Sequence, residues 1–128
     1  LLADPLAVDL NQAAEPGPHV ACSVIVNFER EKVHVDFYPG RSGDGMCIDA
    51  EGNLYVAAGL HATRETSETL DTRPGIHVIS PRGKLVAYVE TPEDTITNCT
   101  FGGPENRTLF VTCGTKLVSF RTKIPGKS

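Results

Sequence analysis

The sequence predicts an all-β chain built of partial β-propeller blades, and three observations support this fold class. Apolar runs rich in Val, Ile, Tyr and Phe recur along the chain, and these residues favour strands. Gly, Pro, Asn and Asp separate the runs and are the residues that turns prefer. Similar runs return after about 52 to 55 residues, and repeats of that length are typical of four-stranded propeller blades. No segment shows a convincing helical period.

The first unit is predicted to contain three strands, which are the end of one at 1–3 and two more at 22–28 and 33–37. A Pro-rich loop with a brief extended piece at 7–10 separates the first of them from the second. Within the strand at 33–37, His34 and Asp36 alternate with apolar residues. Alternation of this kind predicts a half-buried strand whose polar side chains face outward.

The middle unit is predicted to hold a complete set of four strands. Asp49 begins the turn after the first of them and is interpreted as a structural turn residue. A long polar loop at 60–74 separates the second strand from the third. His77, in the third strand, is interpreted as an ordinary surface position. The predicted strands are 46–48, 54–57, 75–80 and 85–90.

The last unit is predicted to contain three strands, at 96–101, 109–112 and 116–120, followed by a polar tail. The domain is therefore divided into an incomplete blade at 1–40, a complete blade at 41–91 and an incomplete blade at 92–128. Closed propellers typically have about 4–8 blades. We therefore expect either the C-terminal part of a longer chain or several copies that assemble.

Composition excludes some classes of function. The chain has 128 residues with 40 % hydrophobic residues, and its net charge of -4 argues against nucleic acid as a partner. No apolar run approaches the roughly 20 residues of a membrane helix, and the first residues do not resemble a signal peptide. The cysteines lack a CxxC pairing, which favours buried free thiols over disulfides or metal-thiolate sites. Free thiols favour a reducing, cytoplasmic location. The cysteines are Cys22, Cys47, Cys99 and Cys113.

Asp44 is the leading candidate for a catalytic and metal-ligating residue. It lies between two glycines, just before the inner strand of the middle unit. A carboxylate in that position can ligate a hard cation and accept a proton. The competing interpretation is that Asp-Gly simply forms a turn. Thr97 occupies the corresponding position in the last unit. It either lines the central funnel around which propeller blades are arranged or simply starts a strand.

The loop at 60–74 is predicted to lie at the same end of the blade as Asp44, because the inner strand runs away from Asp44 and the next strand returns. Long loops near a site often contact substrate. His61 and Arg64 are its most capable substrate-binding groups. The alternative is a solvated loop without a binding role.

Four stretches of the sequence closely resemble the senescence-marker-protein/gluconolactonase/regucalcin family. The resemblance is strong from about residue 42 onward, where the family's elements occur in the family's order, and looser before it. The stretches are DGMCIDAEGNLYVA at 44–57, GIHV at 75–78, TNCTFGGP at 97–104 and LFVT at 109–112.

The resemblance implies a six-bladed propeller with one divalent metal ion, calcium or zinc, in its central funnel, and a hydrolase that opens sugar lactones. The resemblance implies a metal site formed by a Glu, an Asn from an Asn-Gly motif, and an Asp that also transfers protons. Only the Asp has a counterpart here, Asp44. We expect the Asn-Gly motif upstream of Leu1, and therefore little activity from this stretch alone.

Two other functions remain open at this point. A near-half set of blades is also compatible with a binding module whose copies pair as a homo-oligomer into a closed ring. The regucalcin resemblance also allows a calcium-binding regulatory propeller without catalysis.

Overall fold

The structure is a computed structural model. It describes residues 8–9, 23–26, 32–37, 40–41, 43–63, 69–93 and 95–128, with the backbone alone for 8–9, 23–26 and 32–34. Within these residues, the predicted all-β fold is confirmed. Three antiparallel sheets of three, four and three strands follow one another along the chain, and we refer to them as the first, middle and last blades.

The first blade contains β1 (Val8–Asp9), β2 (Ser23–Val26) and β3 (Lys32–Asp36), hydrogen-bonded in that order. The pairing of β2 with β3 shifts register between Val24 and Ile25. Asp36 is exposed, as the alternating pattern predicts. The side chain of His34, the predicted strand end at 1–3 and Cys22 lie outside the described residues.

The middle blade contains the four strands that the sequence predicts, hydrogen-bonded in chain order. The turn between the first two strands places Gly52 at a φ of 87°, a conformation that glycine adopts without steric strain. The strands are β4 (Met46–Ile48), β5 (Leu54–Ala58), β6 (Gly75–Ile79) and β7 (Leu85–Glu90).

The last blade contains β8 (Ile96–Gly102), β9 (Thr108–Cys113) and β10 (Lys116–Arg121), with a short 3₁₀ segment at Pro104–Asn106 between the first two strands. The observed bounds of these strands differ from the predicted ones by no more than one residue at either end. Inside β8 the register with β9 shifts between Ile96 and Asn98. This irregularity places Thr97 in a bulge at the start of the strand.

The middle blade is covered on both faces, so every residue of β5 and β6 is buried. Tyr55 and Ala57 face the last blade, where they join a core that includes Ile96 and Leu109. Val56 lies on the opposite face, in a second core that extends to the first blade. The continuous apolar run of β5 follows from this double coverage, since neither face meets water.

The same coverage corrects the interpretation of His77 as a surface position. His77 is only 7 % exposed. The ring lies between the rings of Phe37 and Tyr88, at centroid distances of 5.4 and 5.0 Å. Nε2 donates a hydrogen bond to the Arg73 carbonyl oxygen at 2.7 Å. The prediction was wrong because it assumed that polar positions of this strand would face solvent.

The C-terminal segment connects the last blade to the middle blade. Gly126 forms an antiparallel bridge with Asp49, and the Lys127 amide donates to the Ile48 carbonyl oxygen at 3.1 Å. The Asn106 side chain donates to the Gly126 carbonyl oxygen at 3.0 Å. This segment therefore joins the two blades at the end of β4 that lies away from Asp44. The described part of the chain contains no helix long and apolar enough to cross a bilayer.

Candidate functional site

Asp44 lies at the start of β4, and backbone hydrogen bonds fix its position. Its amide donates to the Ala57 carbonyl oxygen at 2.8 Å, and the Ala57 amide donates to the Gly45 carbonyl oxygen at 3.0 Å. These bonds extend the ladder between β4 and β5 past the formal end of the strand. Asp44 is therefore held on a rigid element, which suits a residue that must meet a substrate in a defined geometry.

Gly45 allows the inner strands of two blades to approach each other beside Asp44. Its amide donates to the Thr97 carbonyl oxygen at 2.7 Å. A Cβ atom at this position would lie 2.1 Å from Asn98 Oδ1 and 2.6 Å from the Thr97 carbonyl oxygen. Gly45 is not among the residues with positive φ. The glycine after Asp44 is thus required for close approach rather than for a turn.

Arg41 is the residue that the sequence interpretation missed. One of its guanidinium nitrogens, Nη2, lies 3.2 Å from Asp44 Oδ2, and the other, Nη1, donates to the Ile96 carbonyl oxygen at 3.0 Å. Its side chain is only 11 % exposed. Arg41 therefore orients the Asp44 carboxylate against the start of the last blade. We call Arg41, Asp44, Gly45, Ile96 and Thr97 the mouth cluster.

The Asp44 carboxylate remains accessible despite this ion pair, since its side chain is 52 % exposed. One carboxylate oxygen contacts Arg41, which leaves room at the carboxylate for water or for a ligand. An ionised carboxylate at this place can accept a proton from water or serve as one oxygen ligand of a hard cation.

The described residues do not by themselves hold a metal ion. Within them, no group of three or more His, Cys, Asp or Glu side chains comes together. Calcium takes about 6–8 oxygen ligands and zinc about four ligands, and the mouth cluster offers one carboxylate. A metal at Asp44 would need ligands from outside the described part of the chain.

Thr97 shares the mouth cluster but directs its hydroxyl into its own blade. Thr97 Oγ1 lies 2.9 Å from Thr112 Oγ1 on the neighbouring strand. Its backbone carbonyl oxygen is the group that faces Gly45. Thr97 thus supports the bulge at the start of β8, and bulges are common next to functional sites.

The two ends of the loop at 60–74 are anchored to neighbouring elements. His61 is exposed, and its Nε2 lies 3.1 Å from the carbonyl oxygen of Thr91, in the linker between the middle and last blades. Thr72 Oγ1 donates to the Phe37 carbonyl oxygen at 3.0 Å. Thr69 forms a bridge with Gly40, next to Arg41 in sequence. Arg64, the other predicted substrate-binding residue, lies outside the described residues.

Asp49 occupies the opposite end of β4 and is fully buried. Its Oδ1 accepts the amides of Glu51 and Asn53 at 2.9 and 3.0 Å. Its Oδ2 accepts the Asn53 side-chain amide at 2.9 Å and the Tyr55 hydroxyl at 3.1 Å. A carboxylate with four donors is engaged in holding its turn, which agrees with its interpretation as a structural residue.

A family comparison gives the mouth cluster a context. The model of the family described as SMP-30/Gluconolactonase/LRE-like region matches residues 20–115. Regucalcin of Xenopus laevis is 41 % identical to this chain over 71 residues, and regucalcin of Homo sapiens is 39 % identical over 72 residues. The matched parts are 54 % and 55 % of this chain.

Solved structures agree with this comparison. An X-ray structure of a candidate gluconolactonase superposes with a TM-score of 0.62 and 32 % identity, and it covers 83 % of this chain. A calcium-binding regucalcin from Agrobacterium tumefaciens superposes with a TM-score of 0.60 over 82 % of this chain, at 17 % identity, which supports the fold alone.

The chain spans only part of these relatives. The matched segments cover 19 % of the Xenopus regucalcin and 20 % of the human one. Among the solved structures, the superposed part is 33 % of the candidate gluconolactonase and 39 % of the Agrobacterium regucalcin.

Proposed function

Because this chain belongs to the SMP-30/gluconolactonase/LRE-like family, we propose that it is part of a metal-dependent hydrolase of sugar lactones in which Asp44 is the catalytic carboxylate. The observation that carries this proposal is the position of Asp44. Its half-exposed carboxylate lies where the inner strands of two blades meet, oriented by Arg41.

Asp44 would act as the base that activates water. The carboxylate accepts a proton as the water oxygen forms a bond with the lactone carbonyl carbon. The ring ester bond then breaks, the ring oxygen takes up a proton, and the product is an open-chain hydroxy acid. A positioned base contributes about 10²- to 10⁴-fold to such a step.

Arg41 would act as a positioning residue for Asp44. Its two contacts fix the carboxylate relative to the start of β8. Because the guanidinium side chain is mostly buried, it has few alternative orientations. A carboxylate held in one orientation loses little entropy when the substrate binds, which favours reaction.

One divalent cation, calcium or zinc, is part of the proposal, with Asp44 as one of its ligands. When bound, such a cation polarises the carbonyl group that water attacks. The similarity to regucalcins at 41 % and 39 % identity supports this part, since a solved regucalcin is described as calcium-binding. The remaining ligands would come from outside the described residues. His61 and Arg64, both in the loop at 60–74, would contact the hydroxyl groups of the sugar.

The experiment is lactone hydrolysis by the purified protein that carries this chain, with D-gluconolactone and related sugar lactones as substrates. Asp44→Asn keeps the shape of the side chain but removes the base, so we expect kcat to fall by at least about 10²-fold. Glu105→Gln is the matched control, because Glu105 also forms an exposed ion pair, with Arg121 at 3.0 Å, in the turn that follows β8.

Full activity of Asp44→Asn would contradict the proposal. Calcium binding that depends on Asp44, without hydrolysis of any lactone, would instead favour the calcium-binding regulatory propeller. The 128-residue chain alone is expected to have little or no activity, since it supplies one of the expected ligands. We also propose a cytoplasmic location, because Cys47, Cys99 and Cys113 are free thiols.

A second candidate function is self-assembly, and the open face of the last blade favours it. Phe110, Thr112 and Leu117 line a solvent-open cavity of about 180 Å³ on this face. Leu117 is 69 % exposed. Apolar side chains on an open blade face favour association. A second copy of the chain would cover this face in a homo-oligomer that completes the propeller.

A further inference from the structure

Two free thiols from different blades lie in contact below the mouth cluster. Cys47 Sγ, in β4, lies 3.4 Å from Cys99 Sγ, in β8. The two residues are 52 positions apart and lie on the inner strands of successive repeats. A disulfide requires the sulfur atoms to come closer by only about 1.4 Å. The packing of β4 against β8 thus places two thiols side by side across the interface between the blades.

The hydrogen bonds of the pair define its resting state. Cys99 Sγ donates to the Tyr55 carbonyl oxygen at 3.3 Å. With that proton engaged, the Cys47 thiol is the donor to Cys99 Sγ. The hydrogen bond to Cys99, together with burial, raises the pKa of the Cys47 thiol above its ordinary value. The Cys47 thiol therefore rests in its protonated form in this fold.

We propose that Cys47 and Cys99 form a reversible disulfide that cross-links the middle and last blades when a small-molecule disulfide is present. Cys47 attacks the small disulfide as its thiolate, which forms a mixed disulfide and releases one thiol. Cys99 then attacks Cys47 Sγ and releases the second thiol. Each cross-link therefore reduces one small disulfide to two thiols, and excess thiol reverses the reaction.

The order of these steps follows from exposure. Cys99 is only 5 % exposed, whereas Cys47 is partly exposed, so Cys47 is the thiol that a small molecule can reach. Cys99 is already in place to resolve the mixed disulfide. Because the thiolate is the reactive form and the pKa of Cys47 is raised, the first step is slow at neutral pH and accelerates in alkaline buffer.

Peptide mapping of the folded chain tests the proposal directly. The purified protein is incubated with hydroxyethyl disulfide, acid-quenched, alkylated and digested with trypsin. Every cysteine lies in a different tryptic peptide, so each pairing gives a distinct mass. The peptides are 1–30 for Cys22, 42–64 for Cys47, 85–107 for Cys99 and 108–116 for Cys113.

We expect peptides 42–64 and 85–107 to be recovered joined, and dithiothreitol to separate them. The same treatment in concentrated urea should give a mixture of pairings, because the fold no longer selects one. Cys113, also a buried free thiol, provides the matched control. Cys113→Ala should leave the cross-link intact, whereas Cys47→Ser and Cys99→Ser should each abolish it.

The proposal is overturned if peptides 42–64 and 85–107 are recovered only as separate alkylated or mixed-disulfide species from the native protein. A second measurement does not depend on any variant. The cross-link closes a loop of about 50 residues, so oxidation should raise the Tm by about 5–10 °C. An unchanged Tm in the cross-linked protein would show that the blades are not held together by it.

Discussion

At the mouth of the middle blade, the guanidinium of Arg41 joins the start of this blade to the start of the last blade. It contacts the Asp44 carboxylate and the Ile96 carbonyl oxygen from a mostly buried position. An ion pair on an exposed surface contributes about 0–1 kcal/mol to stability, so the value of this one lies in orientation. Its planar fork can hold two acceptors at fixed angles, which a lysine ammonium cannot reproduce.

The first prediction is that Arg41 acts through Asp44 on the proposed reaction. Arg41→Met and Arg41→Lys should each lower kcat by about 10- to 100-fold with little change in KM, because the base is displaced rather than removed. Steady-state kinetics with D-gluconolactone measure this split. Arg121→Met, in the exposed pair with Glu105, is the control. A rise in KM with an unchanged kcat would instead make Arg41 a substrate-binding group.

The sequence marks Asp44 as a candidate site residue, whereas it does not mark Arg41. Asp44 lies in a stretch whose residue order is specific to a family, and its place before an apolar run is visible in the sequence. Arg41 lies three positions earlier, among Gly and Ser residues. A lone basic residue near an acid in a loop is common and weakly informative. Its role depends on the Ile96 carbonyl oxygen, 55 positions away, which no local pattern reports.

Burial between neighbouring rings changes the ionisation of His77. Burial lowers its pKa from the ordinary value, with the nearby Arg73 charge acting in the same direction and the hydrogen bond to the Arg73 carbonyl oxygen acting against it. The guanidinium of Arg73 lies over the Tyr88 ring at 4.2 Å. His77 is therefore neutral in the fold at pH values where the unfolded chain takes up a proton.

The second prediction follows from that difference in pKa. As the pH falls below the unfolded value of about 6.5, the unfolded state binds the extra proton and the free energy of unfolding decreases. The slope from one such group is at most about 1.4 kcal/mol per pH unit. Urea titrations between about pH 7.5 and 5 measure it. His77→Gln should flatten this dependence, and an unchanged slope would contradict the assignment.

At the scale of single elements, apolar patterns and turn residues carry most of the information. The continuous run of β5 indicates a strand buried on both faces, and both faces are covered. The bulge at Thr97 was not predictable, because it reflects the register between β8 and β9. The turn at Asp49 was identified as a turn, but its four hydrogen bonds depend on the position of Tyr55 in the next strand.

The third prediction concerns the Asp49 turn. Asp49→Ala would leave the Glu51 and Asn53 donors and the Tyr55 hydroxyl without their acceptor. Unpaired buried donors are destabilising, so the free energy of unfolding should fall by about 3 kcal/mol or more. Chemical denaturation of the purified protein measures the change.

Tyr55→Phe is the matched comparison for that variant. It removes one hydroxyl from the same carboxylate and keeps the ring, which lies 5.0 Å from the ring of Phe101 in an edge arrangement. We expect a loss of about 1 kcal/mol. Equal losses in the two variants would show that the turn amides find other partners without Asp49.

At the scale of the whole molecule, the repeat determines which faces of the blades are covered. The period of the strands was sufficient to predict blades, because each repeat contributes one antiparallel sheet that needs a neighbour. The bridge between Gly126 and Asp49, which connects the last blade to the middle blade, was not predictable, since a polar tail shows no strand pattern. The exposure of a strand also follows from its position in the sheet. β7 and β10 are end strands of their sheets, and Leu85 in β7 and Leu117 in β10 lie largely in solvent.

The last prediction tests the open face of the last blade. Among the described strands, β10 pairs only with β9, so both the strand edge and the face near Leu117 are available. Unpaired edges and apolar faces promote association between chains. The purified 128-residue chain should therefore associate at micromolar concentration in light scattering, and Leu117→Lys should shift it toward monomer. Lys116→Ala, at the neighbouring exposed position, is the control.

A strict monomer for the unaltered chain would contradict self-assembly. It would leave the proposal of a lactone hydrolase unaffected, because Asp44 and Arg41 lie on the middle blade.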